Sequence, residues 1–117
     1  MGQIGSIAKR VLERMDAFLG ETDEAGRMPS YGKVVVAAIV GNEDGAHLSS
    51  AQLFQALNAV GWTIPATAAC HWVGKAMGSR DFNDLEDTPE MVAMTAKMLA
   101  GNPAHLAGLL KGSPCPG

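Results

Sequence analysis

Val34 to Val40, VVVAAIV, is an unbroken apolar run of strand length, rich in β-branched residues. Such a run reads as a strand covered on both faces, the habit of a central parallel strand. A tight polar loop follows, from Gly41 to His47. Ser49 then opens a helix with Leu53, Phe54, Leu57 and Val60 on one face, closed by Gly61. Upstream, Ser6 caps a first helix from Ile7 to about Leu19. Ala8, Val11, Leu12, Met15, Phe18 and Leu19 form its apolar face. Gly20 stops it, and 21–32 is a loop broken by Gly26, Pro29 and Gly32. A second strand is expected over 62–70, where Pro65 removes a ladder donor and confines it to a sheet edge or a bulge. Residues 71–87 show no period. Thr88 and Pro89 open a last helix reaching about residue 111, with Met91, Val92, Met94, Met98, Leu99, Leu106, Leu109 and Leu110 as apolar positions. Pro103 inside it should kink or restart it. Residues 112–117 read as a flexible tail.

The order α-β-α-β-α implies right-handed crossovers and a parallel sheet. Two strands, however, cannot bury three amphipathic helices. The 34–40 strand wants a neighbour on each side, and the pattern offers one. An apolar parallel strand with an open edge associates unless it is paired. The 117 residues have room for one domain, yet the topology reads as part of one, 1–117 forming a partial α/β domain.

Apolar residues are 47% and charged residues 18%, enough for a packed core. The net charge of −3 and scattered Lys and Arg argue against nucleic acid and against an anionic membrane surface. No apolar run reaches the ~18 residues of a membrane span. The first residues, MGQIGSIAKRVLERMD, are broken by charge too early for a signal peptide. Cys70 and Cys115 lack metal-ligand spacing and read as free thiols, which places the chain in a reducing cytoplasm.

In open α/β sheets ligands bind at the carboxyl ends of the strands, so the Gly41–His47 loop marks the expected site. Four segments carry a resemblance: GQIGSIAKRVLERMDAFL, GRMPSYGKVVVAAIVGNEDGAH, LFQALNAVGWTIPA and HWVGKAMGSRDFNDLEDTP. In order and spacing they resemble the C-terminal half of flavodoxin-like NAD(P)H-dependent FMN reductases. The resemblance implies a parallel sheet with flanking helices, in which 34–40 and 62–70 are the fourth and fifth strands. It implies FMN as cofactor and NAD(P)H as co-substrate, with hydride passing to the flavin and electrons on to a small-molecule acceptor. Gly2, Gln3, Ile4 and Ser6 match the end of a loop lying along the flavin ring. Gly41, Asn42, Glu43, Asp44, Gly45 and His47 match the loop at the ring's pyrimidine edge, where backbone N–H groups favour negative charge on the reduced ring. His71 and Trp72, at the carboxyl end of the second strand, are candidates for the nicotinamide or substrate pocket. The family's first three strands and its Ser- and Gly-rich phosphate loop have no counterpart here. No GxGxxG and no Walker motif replaces them. Weak FMN binding by the isolated chain is therefore expected.

Other readings stay open beside this one. Gly2 to Ser6 also fits a frayed N-terminus with an N-cap at Ser6, and Gly41 to His47 an ordinary strand-to-helix turn. Glu43, Asp44, His47 and His71 invite comparison with a metal site, but no helical spacing fixes them on one face, and no metal is expected. His105 reads as a surface or structural residue. A non-catalytic half-domain that forms a homo-oligomer, or that completes itself with an N-terminal half, is the alternative function. A small-anion-binding α/β domain is a third.

Overall fold

The computed structural model describes residues 2–117. Met1, where the expected domain begins, lies outside the described residues. Helix α1 is Ser6–Met15, continued by a 3₁₀ turn, Asp16–Gly20. Strand β1 is Ala37–Gly41, helix α2 is Ala46–Ala59, and strand β2 is Ala69–Val73. A 3₁₀ turn, Phe82–Asp84, precedes helix α3, Glu90–Gly112. β1 and β2 pair in parallel, Ala37 opposite Ala69 through Gly41 opposite Val73. The architecture is thus α/β, with a two-stranded parallel sheet and flanking helices.

The alternation of side chains assigns the faces. His71 of β2 meets His47 of α2, so Ala37, Ile39 and His71 look towards α2. Cys70 looks the other way, its sulfur 3.6 Å from Val92 O and 3.3 Å from Thr95 Oγ1 of α3. α1 packs only lightly on α2, and Ile7 and Val11 on it are exposed.

The strand boundaries differ from the sequence expectation, and Pro65 is the reason. Residues 62–68 are not a continuous strand. Thr63 makes an isolated parallel bridge with Val34, and regular pairing resumes at Ala37 and Ala69. Three steps on the first segment (34 to 37) thus oppose six on the second (63 to 69). The surplus forms a bulge that holds Pro65 and Thr67, the latter at φ 55°. Asn102 of α3 covers the bulge, its Nδ2 donating to Ala66 O at 3.0 Å. Displaced by the bulge, β2 runs on to Val73 and takes in His71 and Trp72.

The helix starts also need correction. Gly5, not Ser6, is the N-cap of α1, and Pro89, not Thr88, that of α3; neither makes a side-chain cap. α2 begins at Ala46 rather than at Ser49, because Gly45 adopts φ 92° and turns the chain into the helix at once. Ser49 is instead buried inside α2. The other end of α2 is as expected. Trp62 N–H donates to Leu57 O and Gly61 N–H to Asn58 O, at 3.1 and 3.0 Å, with Gly61 at φ 93°, a Schellman closure. Pro103 does not divide α3, which is a single helix from Glu90 to Gly112.

The buried apolar side chains are Ala37, Ala46, Leu57, Val60, Ala68 and Cys70, most of them small. Beside them Ser30 is buried, its hydroxyl donating to Val60 O. Large side chains lie outside: Ile7 is 79% exposed and Val40 60%. The residues after α3 turn back towards the 21–32 loop, with Pro114 facing Gly32.

Candidate functional site

Two segments far apart in sequence meet at the carboxyl end of the sheet. Gly45 packs against Gly2 backbone to backbone. A Cβ on Gly45 would stand 2.7 Å from Gly2 O. Glycine is required there twice over, by the positive φ and by the contact. Residues 2–4 are thereby held against the loop 41–45, and the two expected ring-side segments form one surface. A cavity of about 260 Å³ opens beside it, its rim including Gln3, Ile4, Val40, Gly41, Asp44 and Leu53. Ser6 lies one turn away, exposed, as the first residue of α1.

Each loop residue has a definite place. Gly41 ends β1 and accepts a hydrogen bond from Gly74 N–H at 2.8 Å. Asn42, Glu43 and Asp44 are exposed. Asp44 Oδ1 accepts from Gly45 N–H at 2.6 Å. Glu43 Oε1 accepts from Met77 N–H at 3.2 Å, which ties the loop to the segment after β2. His47 stands in the first turn of α2 rather than in the loop, its ring edge-on to His71 with centroids 5.1 Å apart. Trp72 points to the opposite face and lies against Phe82, at 5.6 Å. The structure thus brings His47 to His71 and sends Trp72 to the other face from His71, as neighbours on a strand must be. Among the described residues no three His, Cys, Asp or Glu side chains converge on a point where a metal ion could sit.

Gly74 was missed by sequence reasoning. A Cβ there would come within 2.6 Å of Asn42 O and 3.0 Å of the Trp72 ring. The signal was available in HWVG, a glycine closing a strand beside a loop, but it needs the register of β1 and β2 to be interpreted.

Electrostatically the loop carries two exposed carboxylates, Glu43 and Asp44, and among the described residues neither makes an ion pair. It suits the edge of a neutral polar ring better than a phosphate, since like charge is repelled. The N–H groups at the start of α2 offer donors there. Away from this site, backbone N–H groups of Arg27 and Ala25 and the Arg27 guanidinium hold the exposed Asp23 carboxyl below its ordinary range. That tie is complete above the ordinary carboxylate range and is lost as pH falls through the lowered value.

No family model matches the chain. It is 31% identical to 8-demethyl-8-aminoriboflavin-5'-phosphate synthase of Streptomyces davaonensis over 113 residues, 93% of this chain and 43% of that protein. It is 36% identical over 76 residues to the divalent metal cation transporter MntH of Mycobacterium bovis, 65% of this chain and 11% of that protein. Among the described residues no helix is long and apolar enough to cross a membrane. The structure superposes on the crystal structure of RosB with bound intermediate OHC-RP (8-demethyl-8-formylriboflavin-5'-phosphate), with a TM-score of 0.88 and 25% identity. That match covers 100% of this chain and 47% of that one. The fold is therefore that of a flavodoxin-like enzyme. The chain spans less than half the length of these relatives.

Proposed function

We propose that this chain is the ring-side half of a flavin enzyme of oxidoreductase type, with riboflavin 5'-phosphate (FMN) as its ligand. The observation that carries this reading is the contact of Gly2 with Gly45, which joins two glycine-bearing loops into one surface at the carboxyl end of a parallel sheet. Bare backbone on both loops admits a flat ring where side chains would block it. The likeness to a sequence and to a solved structure whose names carry riboflavin phosphates supports the ligand class. The cavity of about 260 Å³ fits a ring edge, being smaller than the ~300–1,000 Å³ of a site that encloses a whole ligand.

When bound, FMN would supply two-electron chemistry, taking hydride from NAD(P)H and delivering electrons to an acceptor. The chain's own contribution is orientation and electrostatics. Gly2 to Ile4 and Gly41 to Gly45 flank the ring edge, and the N–H groups at the start of α2 stabilise negative charge there. His71, held by His47, borders the same end of the sheet. In this reading 1–117 is one partial flavodoxin-like domain.

A second reading has a specific observation in its favour. The flavin names printed for both the sequence match and the structure match concern substitution at the 8-position of the ring. On that reading riboflavin 5'-phosphate is substrate rather than carrier. One experiment separates the two. The 117 residues replace the matched stretch of the Streptomyces synthase, and the chimera is given FMN with NADPH or NADH, and separately FMN with dioxygen and an amino donor. Loss of the nicotinamide absorbance that depends on FMN supports the reductase. An 8-substituted flavin in the product, with nicotinamide untouched, supports the second reading. Failure of the chimera to retain FMN sinks both.

A further inference from the structure

The outer side of α3 is poor in charge. Between Glu90 at its start and Lys111 near its end, Lys97 is the one charged residue. The inner side carries Thr95 and Asn102, which reach Cys70 and Ala66. Beside that inner side, Met91, Met94, Met98, Gly101, His105 and Gly108 follow one another at steps of three and four residues and form one stripe along the helix. All six are exposed, Met91 by 63% and Met94 by 48%. Single exposed apolar side chains are ordinary, but a continuous strip of them marks a surface that meets another protein.

The two glycines of the stripe have no purpose within the chain. Each costs a helix interior about 1 kcal/mol relative to alanine. Neither has a positive φ. Beyond the helix's own backbone, a Cβ at Gly101 or Gly108 would meet nothing within 4 Å. Glycine on a helix surface lets a second helix approach closely.

We propose that this stripe joins a second copy of the chain, the two α3 helices lying antiparallel about a twofold axis. The side-chain sizes are self-complementary in that direction. Met91 lies opposite Gly108 of the second copy, Met94 opposite its His105 and Met98 opposite its Gly101, and symmetry repeats the three contacts. The large half of each stripe fills the small half of the other, and the Met94 thioether meets an imidazole. A parallel twofold pair would set methionine on methionine and glycine on glycine instead. Charge agrees with the antiparallel choice. Among the described residues neither Glu90 nor Lys111 makes an ion pair. Antiparallel packing brings Glu90 of each copy beside Lys111 of the other, on the same flank of the seam. Further polypeptide is the poorer occupant, because α3 packs on β2, the edge strand, whereas further strands would add beyond β1.

The test is sedimentation of the 117-residue chain over a range of concentrations, without flavin, so that it stands apart from the reading of the site. The chain should be a reversible dimer. Gly101→Leu should weaken it about a hundredfold or more while leaving the helical content undiminished, since leucine favours a helix where glycine does not. Glu90→Lys and Lys111→Glu should each weaken the dimer about tenfold, because each puts like charges together at two symmetric places. The variant carrying both substitutions should recover most of that loss, which a parallel pair does not allow. A chain that stays monomeric at every concentration would overturn the proposal. So would an oligomer that Gly101→Leu leaves intact, or a double charge reversal no tighter than the single ones. The chimera described above checks the other occupant. If Gly101→Leu lowers its Tm and leaves its association unchanged, further polypeptide covers the stripe and the proposal falls.

Discussion

At the residue scale the site rests on Gly45. It combines φ 92° with direct contact to Gly2, so a methyl group there meets two penalties at once. A non-glycine residue in a sparsely allowed backbone region costs about 1–3 kcal/mol. The clash adds to this, because Gly2 lies in an N-terminal segment that can only lift away. Gly45→Ala should therefore lower stability by about 2 kcal/mol and release residues 2–5 from the loop. Thermal unfolding and the amide signals of Gln3 and Ile4 report the two effects. Gly20→Ala, where a Cβ meets open space, is the control and should be close to neutral. An unchanged Gln3 environment in Gly45→Ala would mean that the two loops are not held by this contact.

At the element scale α3 poses the question of a proline in mid-helix. Pro103 has no N–H for Leu99 O, and the helix continues past it to Gly112. Proline in a helix interior is ~3 kcal/mol less favourable than alanine. Pro103 is half buried, so part of that is offset by packing. Pro103→Ala should raise stability by about 1–2 kcal/mol, or roughly 4–8 °C in Tm per kcal/mol. A fall in Tm on circular-dichroism melting would show that the ring's contacts outweigh the missing hydrogen bond. The same helix shows how far patterns in sequence reach. Its extent, the order of elements, the parallel pairing and the glycine closure of α2 follow from periodicity and turn chemistry. The position of β2 does not. Pro65 marks a bulge or an edge equally well, and only the pairing register, Thr63 opposite Val34 and Ala69 opposite Ala37, shows that the chain bulges there and shifts the strand to Ala69–Val73. Likewise Gly41 and Gly45 stand out in the sequence, whereas their meeting with Gly2 and Gly74 depends on contacts between distant segments that no local spacing encodes.

At the scale of the whole molecule the chain is thin. Its extents are 52 × 28 × 17 Å, and its radius of gyration is 16.2 Å, against about 13 Å for a compact domain of this length. The candidate ligand site is equally open. FMN brings a phosphate of about two negative charges, which needs preorganised N–H donors or cations. The loop at the carboxyl end of β1 carries Glu43 and Asp44, and the Gly45 N–H is already engaged by Asp44. What the isolated chain can offer is a few hydrogen bonds to a ring edge, at a net ~1 kcal/mol each. Association costs about 4 kcal/mol or more in lost freedom, which such a sum scarcely offsets. The isolated 117 residues should therefore bind FMN with a Kd no tighter than about 1 mM, and riboflavin, which has the ring without the phosphate, about equally well. The chimera should bind FMN far more tightly than riboflavin, because it regains the phosphate's partners. Fluorescence titration of both flavins against both proteins tests this. Submicromolar FMN binding by the isolated chain, or a strong preference for FMN over riboflavin, would place the phosphate's partners within these residues.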